Sequence, residues 1–419
     1  MTTEKFKNKW LIAASAIGIH ISIGSVYAYS VMTNPVKESF GVETGDIKWA
    51  FKLAILFLGL STTFLGKWVE KVGPKKSGIA AGLFYGIGII GSGLAIQLHS
   101  LTLFFIFYGV LGGIGLGIGY IAPVSTLIKW FPDKRGLATG MAIMGFGFAA
   151  LIFGPIMQKL FDTVGIANTF YSLGCIYMFL ILASSQYLEV PPENYSVGKQ
   201  RSVKNTSKAK TLINISAKDA LKKKSFYYLW FMMFINIACG ITLIASASPM
   251  MQEKLNYTPL EAAAIVGFIG IFNGLGRLLW SSFSDYFGRS NMFILFFAFQ
   301  IVAFYFLPKI NNEWLFLGVL FTVITMYGAG YAILPAFVGD LYGTKDLGTI
   351  NGRVLSAWAA AGIIGPTIYD SDKNKTGSLE TTLAVFSGLF IIALIISIIM
   401  KIHNSKKIKE TKHLSLKAA

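Results

Sequence analysis

One arginine stands inside a long apolar stretch of the chain. Arg277 lies within residues 260–284, where the only other ionisable side chain is Glu261 near one end. An arginine at the centre of a membrane-spanning helix costs roughly 2.5 to 3.5 kcal/mol, so it normally faces a cavity or a partner. Asn273 precedes it by four residues, which places both side chains on one helix face. The pair predicts an anion-binding site; bonds from Arg277 to backbone carbonyls alone are the alternative.

The composition is that of a membrane protein. Of 419 residues, 54% are hydrophobic and 14% are charged, against about 25% charged in a typical soluble domain. A helix of about 20 apolar residues crosses the hydrocarbon, and twelve segments are long enough. These predicted spans are 10–36, 47–65, 77–98, 100–128, 136–158, 166–188, 226–249, 260–284, 290–308, 314–339, 347–369 and 381–400.

The twelve spans predict an all-α membrane protein built from two pseudo-symmetric six-helix bundles. The first bundle is expected at residues 1–188 and the second at 226–402. A basic linker, 189–225, separates them, and a basic tail follows at 403–419. We expect the linker to be a tether, with a regulatory role as the alternative, and the protein to act as a monomer.

The net charge of +17 follows from membrane topology. Most of the 37 Lys and Arg residues lie in segments on the same side as the N-terminus, including nine in the linker. Positive charge concentrates on the cytoplasmic side of membrane proteins. We therefore predict a multi-pass protein of the plasma membrane with both termini in the cytoplasm, its charge facing anionic lipid. This explanation leaves no reason to expect a nucleic-acid partner.

Enzyme chemistry is not predicted. No predicted span contains paired acids, a histidine cluster or a nucleophile beside a base, so we expect no catalytic residues, no metal and no cofactor. Two other classes remain open: a sensor that binds an anion without moving it, and an exporter of hydrophobic cations. A basic site disfavours the exporter.

A loop pattern occurs once in each half of the chain. Glu70 after the second span corresponds to Asp285 after the eighth, 215 residues later. An acid at such a place can cap a helix end or pair with basic groups on an adjacent span. We predict that the two loops form contacts that close the cytoplasmic side. Their residues are Gly66, Glu70, Lys71 and Gly73 in the first copy, and Asp285, Gly288 and Arg289 in the second.

The repeated loop and the twelve spans together resemble the major facilitator superfamily, whose loop motif is G-x-x-x-D-[RK]-x-G-[RK]-[RK]. The resemblance covers essentially the whole chain. Its departures are Glu70 in place of Asp, Pro74 in place of a basic residue and Ser281 in place of the first Gly. It implies a secondary transporter in which two six-helix domains rock about a central site.

Three strings narrow the resemblance to the oxalate/formate antiporter family, relatives of the monocarboxylate transporters. They are 34–37, 129–140 and 272–277. The resemblance implies that Arg277 binds a substrate carboxylate, with Asn273 on the same face. It also implies a set of aromatic residues around the substrate, namely Tyr27, Tyr120, Phe146, Tyr327 and Tyr331.

The eleventh span departs from that family's oxalate exchanger. The exchanger has a lysine there that balances a dianion; aligned through Gly352 and Gly365, the position here is Trp358. A dicarboxylate would leave one buried charge poorly compensated. We therefore predict a transporter of small monocarboxylates of the formate, acetate, lactate or pyruvate class, with an oxalate/formate-type dicarboxylate exchanger as the alternative.

The coupling ion is left open by the sequence. Animal monocarboxylate transporters have an Asp at the position of Asn273. His20, seven residues before Tyr27, is the only histidine well inside a predicted span. A histidine titrates near neutral pH, so His20 is the candidate for proton coupling, with a hydrogen-bonded packing role as the alternative. Exchange against a counter-anion and proton symport both remain possible.

Overall fold

The computed structural model describes residues 7–42, 44–192, 195, 214–376 and 380–417. Throughout these residues the regular structure is helical. We number the long elements α1 to α12. Three are interrupted: α1 consists of Lys9–Ile23, the 3-10 segment Gly24–Ala28 and Tyr29–Phe40; α4 of Leu101–Phe104, the π-helical Phe105–Gly112 and Gly113–Trp130; and α11 of Leu347–Val354 and Ser356–Thr376. The others are α2 Thr44–Val72, α3 Pro74–Gln97, α5 Arg135–Val164, α6 Ile166–Tyr187, α7 Lys224–Leu255, α8 Pro259–Phe287, α9 Arg289–Phe306, α10 Glu313–Tyr342 and α12 Glu380–Lys417.

The predicted twelve-helix membrane fold is confirmed. Eleven helices in the described residues are long and apolar enough to cross a membrane. The remaining element is α11, which is interrupted at Leu355 and whose later turns contain Asp370 and Asp372. It still packs against α2 and α7. Helix α12 runs on to Lys417, through the predicted tail.

The predicted linker lies mostly outside the described residues, at 193–194 and 196–213. Its last part is held by the second half of the chain. The backbone N–H of Ile215 donates to the carbonyl of Tyr342 over 2.8 Å. A short helix follows at Ala217–Ala220, and Arg353 donates to the Ala217 carbonyl over 2.6 Å. Arg353 is therefore engaged at the linker.

Two helix pairs make the largest contacts between the halves of the chain: α2 packs on α11, and α5 packs on α8. Glycines allow the close approach. A Cβ on Gly352 would lie 2.0 Å from the carbonyl oxygen of Thr62, and one on Gly147 would lie 2.5 Å from the Cα of Gly274. Any larger side chain at these glycines would push the two halves apart.

We call one end of the bundle the terminal face: the end that holds the start of α1, the connection between α4 and α5, and the start of the linker. Contacts among these segments define it. The rings of Trp10 and Phe131 lie 5.4 Å apart, and Lys7 pairs with Glu189 at 2.6 Å. By alternation of the helices, the two repeated loops lie on the same face.

At the terminal face, Asp285 of α8 caps a helix of the other half. Its carboxylate accepts hydrogen bonds from the backbone N–H groups of Gly136, at 2.8 Å, and Leu137, at 3.0 Å. These N–H groups are at the start of α5 and have no acceptor within the helix itself. The helix dipole also favours a negative charge there. The same carboxylate pairs with Arg289 at 2.5 Å.

Glu70 makes the equivalent contact between α2 and α11. Its carboxylate accepts from the backbone N–H of Gly348 at 2.6 Å and from the hydroxyl of Thr349 at 2.7 Å. Gly66 permits this approach, since a Cβ there would lie 3.0 Å from the Cα of Thr349. Each acid of the repeated loop thus caps a helix of the opposite half.

The other loop residues have separate positions. Gly73 and Gly288 adopt left-handed φ values of 83° and 84°, so each supplies the turn into the next helix without the steric cost of a side chain. Lys71 is exposed. Arg289 is buried and bridges Asp285 and a further acid, Asp340, which it reaches at 3.2 Å.

Asp340 was not singled out from the sequence. It lies near the end of α10 and pairs with Arg135 at 2.9 Å as well as with Arg289. A carboxylate near a helix C-terminus is opposed by the helix dipole unless a cation compensates it. That position is a signal by which Asp340 could have been found.

The halves of the chain meet from the terminal face to mid-depth. A Cβ on Gly362 would lie 2.5 Å from Ile55, and one on Gly270 would lie 3.5 Å from the carbonyl oxygen of Gly147. About one turn further out on α8, a Cβ on Gly267 would have no described atom within 4 Å. The structure is therefore closed at the terminal face, and the described contacts between the halves continue to mid-depth.

Loss of the Asp285 carboxylate should loosen this closure. We expect Asp285→Asn to raise the rate of maleimide labelling at a Ser281→Cys reporter by about tenfold, because hydrogen bonds from ionised groups contribute about 1.5 to 3 kcal/mol. Ser281 is fully buried at the α5–α8 contact. The measurement uses a background in which Cys175 and Cys239 are replaced.

Asp162→Asn provides the matched control, since Asp162 is an exposed acid at the opposite end of α5. It should leave the labelling rate unchanged. Equal labelling in the Asp285→Asn variant and its parent would show that the carboxylate does not hold the halves together.

Candidate functional site

Arg277 lies near the middle of α8 and is completely buried. Its Nε donates to the Asn273 side-chain oxygen over 2.8 Å, as the spacing of four residues predicts. Its Nη1 donates to the carbonyl of Ile143 on α5 over 3.4 Å. Its Nη2 has no hydrogen-bond partner in the described part of the chain. Hydrogen bonds within the protein thus use Nε and Nη1 of the guanidinium, and Nη2 is left without a partner in the described residues.

Three aromatic rings surround the guanidinium. The Arg277 Cζ lies 5.7 Å from the centre of the Tyr27 ring, 5.5 Å from that of Phe146 and 5.4 Å from that of Tyr331. Ring faces at this range attract a cation by about 0.5 to 2 kcal/mol. These contacts stabilise the charge without neutralising it.

Trp358 and Tyr120 continue the aromatic wall. The Trp358 ring lies 4.6 Å from Tyr331, 5.6 Å from Tyr120 and 6.0 Å from Phe146. Tyr327 adjoins at the back, where its hydroxyl lies 3.3 Å from that of Tyr331. All eight residues singled out for substrate binding therefore lie together, on six helices. We call them the cage: Tyr27, Tyr120, Phe146, Asn273, Arg277, Tyr327, Tyr331 and Trp358.

Close helix contacts bring the cage residues together. A Cβ on Gly24 would lie 2.6 Å from the Cα of Phe146, so α1 approaches α5 where the 3-10 segment presents Tyr27. A Cβ on Gly328 would lie 3.2 Å from the Arg277 Cγ. The Arg277 side chain therefore packs directly on α10 at Gly328.

The cage contains polar atoms without partners. It includes one charged side chain and no acid. Buried polar atoms are nearly always hydrogen-bonded, so several unpaired polar atoms in one place make the cage the candidate binding site. In the described residues the unpaired cage atoms are Tyr27 Oη, Tyr120 Oη, Asn273 Nδ2, Arg277 Nη2 and Trp358 Nε1.

His20 borders the cage and is fully buried. Its ring lies 5.5 Å from Tyr120 and 6.3 Å from Phe146. Its Nδ1 lies 2.5 Å from the carbonyl oxygen of Ala142, so Nδ1 carries the proton and donates. The contact ties α1 to α5, as the packing alternative requires, while Nε2 has no hydrogen-bond partner in the described residues, so proton coupling stays open.

Residues 15–366 match the family model described as Major Facilitator Superfamily. The chain belongs to this superfamily. It is 28% identical over 372 residues to the oxalate:formate antiporter of Oxalobacter formigenes, covering 87% of this chain and 85% of that protein. It is 23% identical over 401 residues to apicoplast pyruvate carrier 1 of Toxoplasma gondii, covering 81% of this chain and 71% of the carrier.

The fold is shared with a solved structure, the proton:xylose symporter XylE. The TM-score is 0.71 at 12% sequence identity, covering 92% of this chain and 94% of that one. The superfamily protein described here is thus a multi-pass membrane transporter and not an enzyme. The resemblance to the oxalate/formate antiporter family is also confirmed.

A stability measurement distinguishes a binding arginine from a structural one. We expect Arg277→Met to raise the melting temperature of the ligand-free protein in detergent by a few degrees, because replacing a buried ion by an apolar side chain often stabilises by about 1 to 4 kcal/mol. The measurement is scanning fluorimetry.

Arg289→Met is the matched control, because Arg289 is a buried arginine paired with two acids. It should lower the melting temperature, since Asp285 loses its cationic partner and Asp340 keeps only Arg135. If both variants were destabilised equally, Arg277 would be a structural residue.

Proposed function

We propose that this superfamily member carries small monocarboxylate anions across the plasma membrane by alternating access. The observation that carries the proposal is the buried Arg277, with one unpaired donor group and no acid in the cage. An anion bound there would neutralise the charge and lower the cost of enclosing it. The cycle requires no covalent chemistry.

The single cation supports a monocarboxylate over a dianion. Arg277 is the one cationic side chain among the eight cage residues, and Trp358 occupies the position of the exchanger's second cation. A second carboxylate would be buried against neutral groups, which is costly. One relative is named as a pyruvate carrier and another as an oxalate:formate antiporter. We therefore favour formate, acetate, lactate or pyruvate, and treat oxalate as the competing substrate.

The terminal face would be the cytoplasmic one, as its basic loops favour. The helix caps made by Glu70 and Asp285 would hold that side closed while the opposite side is open. Opening would break both caps together, because each joins helices from opposite halves. We propose that this exchange of closures moves the anion.

Reconstitution tests the substrate and the anchor together. We expect proteoliposomes loaded with unlabelled lactate to take up radiolabelled lactate, pyruvate, acetate or formate in exchange. Arg277→Ala should reduce the initial rate by at least about thirtyfold, since removing one partner of a buried charge pair costs about 2 to 5 kcal/mol. Arg277→Lys should retain weaker uptake, because lysine keeps the charge but not the planar fork.

Three results would change the proposal. Unaltered uptake in Arg277→Ala would remove Arg277 as the anchor. Oxalate outcompeting every monocarboxylate would favour the dicarboxylate exchanger. Saturable binding of the anions in detergent without flux in proteoliposomes would indicate a sensor.

We propose exchange as the transport mode, with His20 as a packing residue whose bond to Ala142 ties α1 to α5. We expect His20→Asn to keep lactate exchange within about threefold of wild type, because asparagine retains an N–H donor for that carbonyl. Uptake is measured with and without a pH gradient. A gradient-driven component that is present in wild type and absent in His20→Asn, with exchange intact, would instead assign proton coupling to His20.

A further inference from the structure

The unpaired atoms of the cage fall into two groups. The first group lies at the guanidinium and consists of Arg277 Nη2, Asn273 Nδ2 and Tyr27 Oη. Asn273 is hydrogen-bonded to the guanidinium, and the Tyr27 ring lies 5.7 Å from its Cζ. Trp358 Nε1 and Tyr120 Oη belong to a second contact pair, whose rings lie 5.6 Å apart. The second pair carries no charge.

The wall between these groups is aromatic. Phe146 lies 5.5 Å from the Arg277 Cζ and 6.0 Å from the Trp358 ring. The Tyr331 ring likewise contacts both, at 5.4 Å and 4.6 Å, while its hydroxyl faces Tyr327. Phe146 and Tyr331 therefore connect the guanidinium to the Trp358–Tyr120 pair through apolar ring surface.

We infer that Trp358 and Tyr120 form an uncharged subsite for a neutral oxygen of the substrate. The indole N–H is a donor only, and the tyrosine hydroxyl both donates and accepts. A hydroxyl or oxo oxygen pairs with them, whereas an alkyl group leaves both buried and unpaired. The subsite rests on the proposed function and names its substrate class: a monocarboxylate with an uncharged oxygen beyond the carboxylate.

The same subsite selects against other anions. A methyl group in place of the oxygen makes no hydrogen bond. Formate has no atom beyond its carboxylate to offer the second pair. A second carboxylate would meet two neutral groups in a buried environment, which does not compensate its desolvation. The tryptophan thus favours a neutral oxygen at this position, whereas a lysine would favour a negatively charged one.

The test compares three anions of three carbons in competition with lactate exchange: propionate, lactate and pyruvate. Wild type should bind lactate or pyruvate about five- to tenfold more tightly than propionate, the range for one to two uncharged hydrogen bonds. Trp358→Phe and Tyr120→Phe should each reduce this ratio to about two or less. The ratio is the readout because a general loss of packing weakens all three anions alike.

Trp280→Phe is the matched control. Its Nε1 donates to Thr325 over 3.0 Å, outside the cage, so the ratio should stay at the wild-type value. Scanning fluorimetry checks the folding of each variant, and Tyr120→Phe, which removes one oxygen, carries the test if Trp358→Phe does not fold.

The outcomes separate this inference from the function on which it rests. Equal competition by propionate, lactate and pyruvate in wild type, with Arg277→Ala still inactive, would overturn the uncharged subsite alone. No competition by any of the three, with Arg277→Ala behaving as wild type, would overturn the proposed function. A ratio that is unchanged in both phenylalanine variants would assign the preference to other residues and overturn the inference.

Discussion

The burial of one positive charge governs the centre of this protein. Arg277 has no exposed surface, and its compensation consists of an amide oxygen, a distant carbonyl and three ring faces. None of these carries a full negative charge. The remaining deficit is what an anion would supply, so under the proposed function the burial that makes the fold costly at this point would give the transporter its affinity.

The helices that hold the charge also form the closure at the terminal face. Phe146 and the N–H groups capped by Asp285 lie on α5, about 15 Å apart at 1.5 Å per residue. Arg277 and Asp285 lie on α8, and Trp358 lies on α11 beyond the N-terminus capped by Glu70. Helices α5 and α8 are continuous between the closure and the cage, so neither can leave the closure without moving its cage residue, whereas α11 is interrupted at Leu355. The closure and the cage are therefore one mechanical unit.

Part of this arrangement follows from sequence and part does not. The spacing of Asn273 and Arg277 places them on one helical face, and the Nε to Oδ1 bond is the direct result. Long apolar runs likewise mark the spans. By contrast, Tyr27 reaches the cage from a 3-10 segment, Gly24–Ala28, inside a continuous apolar run. No local pattern in that run marks the change of helix type. The change occurs where Gly24 packs closely against Phe146 of α5, a contact between residues far apart in sequence.

Local sequence spacing also does not predict that six helices converge on the cage. Tyr120, Phe146 and Trp358 were associated through resemblance, since their sequence separations carry no periodic relation. Helix α11 is interrupted at Leu355, and the acids at its end make it less apolar than a typical span. Its place in the bundle depends on packing against α2 and α7, and only the folded chain contains that information.

Charge balance separates the two buried arginines and explains their different roles. Arg289 meets Asp285 and Asp340, and Arg135 shares Asp340. Two cations therefore face two anions, and this network of four side chains is electrically balanced within the protein. Arg277 has no such acid in the cage. A complete network can hold a conformation by itself, whereas an incomplete one depends on what enters it. Under the proposed function, this difference in balance, more than burial, is the reason that binding at Arg277 would control closure.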